Sequence, residues 1–208
     1  MPDNQWFGPC MKEEVAVYRW FVCVSLLALA FGTTLPASGA DQAASFKPEN
    51  KLENLKALFE LLHQTVHVKK DAKQAAALFQ SLIPDEARAK QALKEDIAAE
   101  VLRQIVDQHK KMEVREADAG KLARPEQTVV QVHAATTEEI AKYDKDSVAF
   151  KEFPGGAKRL AEQQLRRGVT FYEVEFLEPG KDAGIKYHLL YWDGKQWSML
   201  GPMWRVLQ

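Results

Sequence analysis

The chain has 208 residues, with 28 basic and 29 acidic side chains and a formal charge of −1. A balance this even offers no field for gathering phosphates along a nucleic acid, which excludes a nucleic-acid binder. Its two cysteines, Cys10 and Cys23, both lie in the first forty residues, so everything beyond has no disulfide, thiol nucleophile or thiolate metal site.

From Trp20 to Ala40 there is no charge, and an apolar block, WFVCVSLLALAFG, follows Arg19. Ser38 and Ala40 stand where a small-residue cleavage site before Asp41 requires them. Basic residue, short apolar block and small-residue site are the layout of a secretory signal, predicted over residues 1–40. Asp3, Glu13 and Glu14 fit that layout badly; a start at Met11 removes Asp3. The rival reading is an uncleaved anchor, although the block falls short of the roughly 20 apolar residues a spanning helix needs.

Without the five leader charges (Lys12, Arg19, Asp3, Glu13 and Glu14), the 168 residues from Asp41 carry 26 basic and 26 acidic groups. That length suits one domain with a core of its own, preceded by a flexible stretch over 41–49. No N-x-[ST] acceptor follows Asp41. The expected location is a bacterial periplasm or the extracellular space, with no membrane association once the leader is cut.

Residues 50–112 read as helices. Leu52, Leu55, Leu58, Phe59, Leu62 and Val66 form one apolar stripe. Asp71 caps a second helix with Ala75, Leu78, Phe79 and Leu82 inward. Pro84 stops it and can open a third, and Asp96 precedes a fourth through Ile97, Val101, Leu102, Ile105 and Val106. A polar connector over 113–127 separates this half from a sheet-forming half, 128–208.

That second half opens with a strand, TVVQVHA, and a short helix with Thr136 and Glu139 at capping-box spacing. SVAFKEF reads as another strand, and Ala157–Arg167 as a helix that Gly168 can end. Three aromatic and β-branched runs follow, VTFYEVEFLE, IKYHLLYW and KQWSMLGPMWRVL; Asp193-Gly194 marks a hairpin between the last two. Alternation puts Tyr172, Val174 and Phe176 on one face, and Ile185, Tyr187, Leu189 and Tyr191 on one face of the next strand. The fold class is α+β, with N-terminal helices packed on a curved antiparallel sheet that ends in a three-stranded meander.

This order of elements, together with the YWDGKQW hairpin, resembles the NTF2-like (SnoaL-like) and cystatin-like superfamily. The resemblance implies helices lying across a bent sheet, often around a conical pocket used by enzymes or by ligand binders. Four N-terminal helices and the insertion around Thr136–Phe153 depart from its simplest form.

Four constellations could carry chemistry. His63 and His67, in HQTVH, have the i, i+4 spacing of a zinc pair, but Gln64 stands where a protease needs a glutamate; no metal is expected there. Glu173 and Glu175 alternate opposite the apolar face, with Lys186 and His188 across the hairpin. They make either a general acid–base pair in a cavity or a cross-strand charge ladder, and His133 shares that ambiguity. Trp192, Trp197 and Trp204 could line a ligand pocket or form core. Gly155 and Gly156, before Lys158 and Arg159 in FPGGAKR, could open an anion site at a helix N-terminus or simply turn the chain.

No nucleotide loop, serine elbow or acidic metal loop occurs, so no cofactor is expected. The leading expectation is an exported, non-catalytic domain that binds a small molecule or a protein partner. The alternative is an NTF2-like isomerase or hydrolase using His188 with Glu173 or Glu175 as catalytic residues.

Overall fold

The leucine and phenylalanine stripe after Asn50 winds into α1 (Leu52–His67), which buries Leu55, Leu58, Phe59 and Leu62. The computed structural model describes residues 48–207; the predicted leader, Met11, both cysteines and residues 41–47 lie outside them. Asp71 accepts the Gln74 N–H and so starts α2 (Ala72–Ser81). Asp85 does the same through Arg88 N–H for α3 (Glu86–Ala92), so Pro84 precedes the cap instead of opening the helix. α4 (Ala99–Lys111) starts after Ala98, beyond Asp96, and ends on His109, Lys110 and Lys111, where cations suit the helix dipole. The connector holds a 3-10 helix, Glu116–Lys121.

β1 (Val129–Thr136) runs directly into α5 (Thr137–Lys142), whose capping box between Thr136 and Glu139 is formed in both directions. SVAFKEF is not a strand but a helix, α6 (Val148–Glu152). The Ser147 hydroxyl accepts the Phe150 N–H, and Ala149 and Phe153 turn inward four residues apart. In so short a run, one side-chain cap and helical burial outweigh the apparent alternation. Pro154 then caps α7 (Gly155–Gln163), which contains both glycines in its first turn and ends before Arg167.

β2 (Thr170–Leu177), β3 (Ile185–Trp192) and β4 (Trp197–Met199) complete an antiparallel sheet of order β1-β2-β3-β4. The last predicted strand is shorter than its apolar run: after Met199 the chain leaves the sheet and turns through a 3-10 helix, Met203–Arg205. At the β2–β3 connection the backbone of Gly184 lies so close to the Phe176 carbonyl that any Cβ would overlap it, and Glu175 accepts the Gly184 N–H at 2.8 Å.

Both faces of the sheet are covered. On one, Val130, Val174, Phe176, Leu190, Trp197 and Met199 pack with Leu55, Leu58 and Phe59 of α1 and Ala75 and Phe79 of α2. On the other, Ala135, Phe171, Leu189 and Tyr191 pack with residues of α3 to α7.

Leu189 and Tyr191 therefore do not share a face with Ile185 and Tyr187, contrary to simple alternation. Tyr172 opposes Leu190 and Val174 opposes Tyr187, so His188 and Leu189 together stand opposite Glu173 alone. This is a β-bulge, and the extra residue reverses the facing of everything after it. Leu189 absorbs the bend with φ of +53°, a left-handed conformation costing about 1–3 kcal/mol in a non-glycine residue.

A candidate site at the bulge

The bulge leaves the Leu189 N–H aimed away from the ladder, and Glu173 turns its side chain to meet it, Oε1 accepting at 3.3 Å. The other carboxylate oxygen lies 2.5 Å from Nδ1 of His188. The Glu173 side chain is fully buried, whereas the His188 side chain keeps 20% of its surface. Burial pushes the Glu173 carboxyl above the usual carboxylate range, and the His188 hydrogen bond pulls it only partly back. Taking a carboxylate out of water is tolerable because two donors converge on it. With Nδ1–H donating to Glu173, the His188 Nε2 is left as an acceptor. Among the described residues it has no hydrogen-bond partner; beside the ring stands the Trp204 indole, edge to face, with centroids 5.2 Å apart.

Next to this pair lies a second polar group on the same face. Lys186 Nζ reaches Glu152 at 3.2 Å and Glu175 at 3.3 Å, and His133 Nε2 lies 3.6 Å from Glu152. Burial alone would lower the Lys186 pKa, but the two carboxylates outweigh it and leave it raised. The register puts His133 opposite Glu173 and Lys186 opposite Glu175. Glu175 and Lys186 thus form the cross-strand ion pair of a charge ladder, while a buried Glu173 and a partly exposed His188 form a hydrogen-bonded dyad. Glu152, from α6, was invisible in the alternation because its segment read as a strand.

The two glycines of FPGGAKR separate in role. A Cβ on Gly156 would overlap the Trp204 ring, so that glycine admits the indole to the start of α7; Gly155 faces open space. Lys158 pairs with Glu162 at 3.7 Å, and Arg159 is exposed. Trp197 is core, 2% exposed, with its indole N–H donated to Asn54; Trp192 packs edge-on against it. The rings of His63 and His67 lie tilted to each other, 4.8 Å apart, and contact the Arg124 and Ala123 carbonyls through Nε2, tying α1 to the connector. No group of three metal-binding side chains occurs among the described residues.

Two grooves lie elsewhere. One, of about 900 Å³, runs beside α3 and α4 over Ile97, Leu102 and Val106, with a rim of Lys90, Lys94 and Arg103. A smaller one, about 370 Å³, adjoins it at Lys94 and includes Thr137 and Glu138. Neither includes His188. No described helix is long and apolar enough to cross a membrane.

Sequence reasoning missed Arg88. Its guanidinium donates to Asp193 at 2.6 Å, Ser198 Oγ at 2.6 Å and the Trp197 carbonyl at 3.1 Å. No local pattern marks a contact between residues more than a hundred positions apart. Compared with known protein families, with curated proteins and with solved structures, the chain finds no match in any of the three.

Proposed function

We propose that the chain is an exported, non-catalytic α+β domain that binds a small molecule at His188. The observation carrying this reading is the dyad: a fully buried carboxylate holds a partly open imidazole by Nδ1, with Nε2 turned outward beside Trp204. Such a nitrogen accepts a hydrogen bond from a ligand hydroxyl or amine, while the indole takes an apolar or flat part of the same molecule. The surrounding polar side chains, Lys186, Glu152 and Glu175, are engaged with one another, which favours recognition over chemistry. Export rests on the leader layout of residues 1–40. The resemblance to the NTF2-like superfamily supports a sheet-borne ligand site; helices on the second face, above Glu173 and Lys186, depart from it.

A second reading has its own observation. The Glu173 carboxylate holds Nδ1 and so fixes the tautomer that presents Nε2 as a base, so proton abstraction or hydrolysis could run on the same nitrogen. The test is a histidine-resolved NMR titration with small hydroxylated, amine and carboxylate compounds. Saturable shifts at His188 and the Trp204 indole, abolished by His188→Ala, are expected. Shifts confined to the groove beside α3 and α4 would overturn the assignment. Turnover of a bound compound, lost in His188→Gln with a matching pH profile, would replace binding by catalysis.

A further inference from the structure

Edge strands in folded proteins are blunted by charge, proline, bulges or brevity, because an open edge pairs with whatever strand it meets. β1 has none of these. It runs for eight residues as VVQVHAAT, with no lysine, arginine, acid or proline, and pairs with β2 without a register shift. As the first strand in the order β1-β2-β3-β4, it has a partner on one side only among the described residues.

Which backbone groups face outward follows from two bonds at its end. Thr137 N–H donates to the Val169 carbonyl, so Thr136 and Thr170 are a non-hydrogen-bonded pair. Thr136 N–H accordingly turns away from β2 and is taken by Glu139. With period two, the N–H and C=O groups of Val130, Val132 and Ala134 leave the sheet on the same side. None of them has a hydrogen-bond partner among the described residues.

We propose that this edge pairs with β1 of a second copy of the chain, making one continuous antiparallel sheet across a two-fold axis at Val132. In that register Val132 faces its own copy, and Val130 faces Ala134 of the second copy, so all outward donors and acceptors meet. Gln131 of each copy then lies opposite His133 of the other, a donor–acceptor match, and no two like charges are brought together. The self-complementarity required of an isologous contact is therefore written into one eight-residue stretch. Beside it, α6 packs against the same strand through the Glu152–His133 contact and exposes Val148 and Phe150, each at 46%, and Val129 is exposed at 38%. These apolar side chains extend the buried area beyond the strand pair, toward the roughly 1,000 Å² that a specific interface needs.

Sedimentation equilibrium of the full chain tests this. The wild type is expected at twice the chain mass, and Val132→Lys and Val132→Glu each at the single-chain mass. Mixing those two variants should restore the dimer, because a lysine then faces a glutamate across the axis. Ala134→Pro covers the case in which a charge at Val132 prevents folding, since it removes an N–H that bonds nothing among the described residues. A folded Ala134→Pro monomer supports the proposal, and a folded Ala134→Pro dimer overturns it. A wild-type monomer, or one whose mass keeps rising beyond two chains, also overturns it.

Discussion

The two faces of the sheet are covered alike and built differently. On the α1–α2 face the contacts of Phe176 are aromatic, with Phe59, Tyr187 and the His63 ring within 5.7 to 6.1 Å. On the other, the same strand presents Glu173 and Glu175 to Lys186, His188 and Glu152 beneath the α5–α7 helices. One face is dry packing, whose stability follows area; the other encloses charge that stays buried only while every partner is in place. The bulge at Leu189 joins the two by sending Leu190 to the first face and Leu189 and Tyr191 to the second.

The largest test of this contrast is Phe176→Ala, expected to cost about 3–5 kcal/mol in urea unfolding because a fully buried ring leaves a cavity. A loss below about 1 kcal/mol would show that the first face tolerates collapse and is not tightly packed. Next, Glu173→Ala should cost about 1–3 kcal/mol by orphaning the Leu189 N–H and His188. Replacing Glu173 and His188 together by leucine should recover part of that; a double variant no better than the single would deny the coupling.

Gly156→Ala comes third, with a loss of about 1–3 kcal/mol and a shift in Trp204 fluorescence as the indole is pushed from α7. Unchanged emission would mean the ring has room.

The smallest effects are in pH. His109, 3% exposed, has its Nε2 on the Leu200 carbonyl, and its Nδ1 has no partner of hydrogen-bond geometry. Burial lowers its pKa, aided by Arg88 and only partly offset by the Leu200 and Pro84 carbonyls. Its contribution is therefore present above the unfolded value near 6.5 and lost as pH falls through the lower folded value. Glu173 acts in the opposite sense: its raised pKa gives stability below the unfolded value near 4.3, lost as pH rises through the folded value. His109→Leu should flatten the first slope and Glu173→Gln the second, each read from the unfolding midpoint against pH.

The helices were legible because each signal was local: the stripe of α1, the Asp71 cap and the Thr136–Glu139 box sit where their residues are. So were the meander and its Asp193-Gly194 turn, and the proximity of Glu173 to His188 followed from strand pairing. What was not legible depends on distant events. Alternation carries no mark of an inserted residue when a leucine, not a glycine, takes the left-handed conformation, so the facing of Tyr191 was misread. The closeness of Gly156 to Trp204 joins positions 48 residues apart, and the helical state of Val148–Glu152 rests on one serine hydroxyl and on packing.

The Arg88 clamp also orders the chain in time. Its acceptors Asp193, Trp197 and Ser198 are more than a hundred residues downstream, and Trp197 in turn donates to Asn54 at a separation of 143. Contacts this distant form only after the entropy of closing the intervening chain has been met. The first three helices are therefore synthesised long before the hairpin that fastens them, and until Ser198 is made the Arg88 guanidinium lacks part of its acceptor set. A chain cut before Asp193 would lose more than an edge strand: α3 would also lose the Asp193, Trp197 and Ser198 acceptors of Arg88.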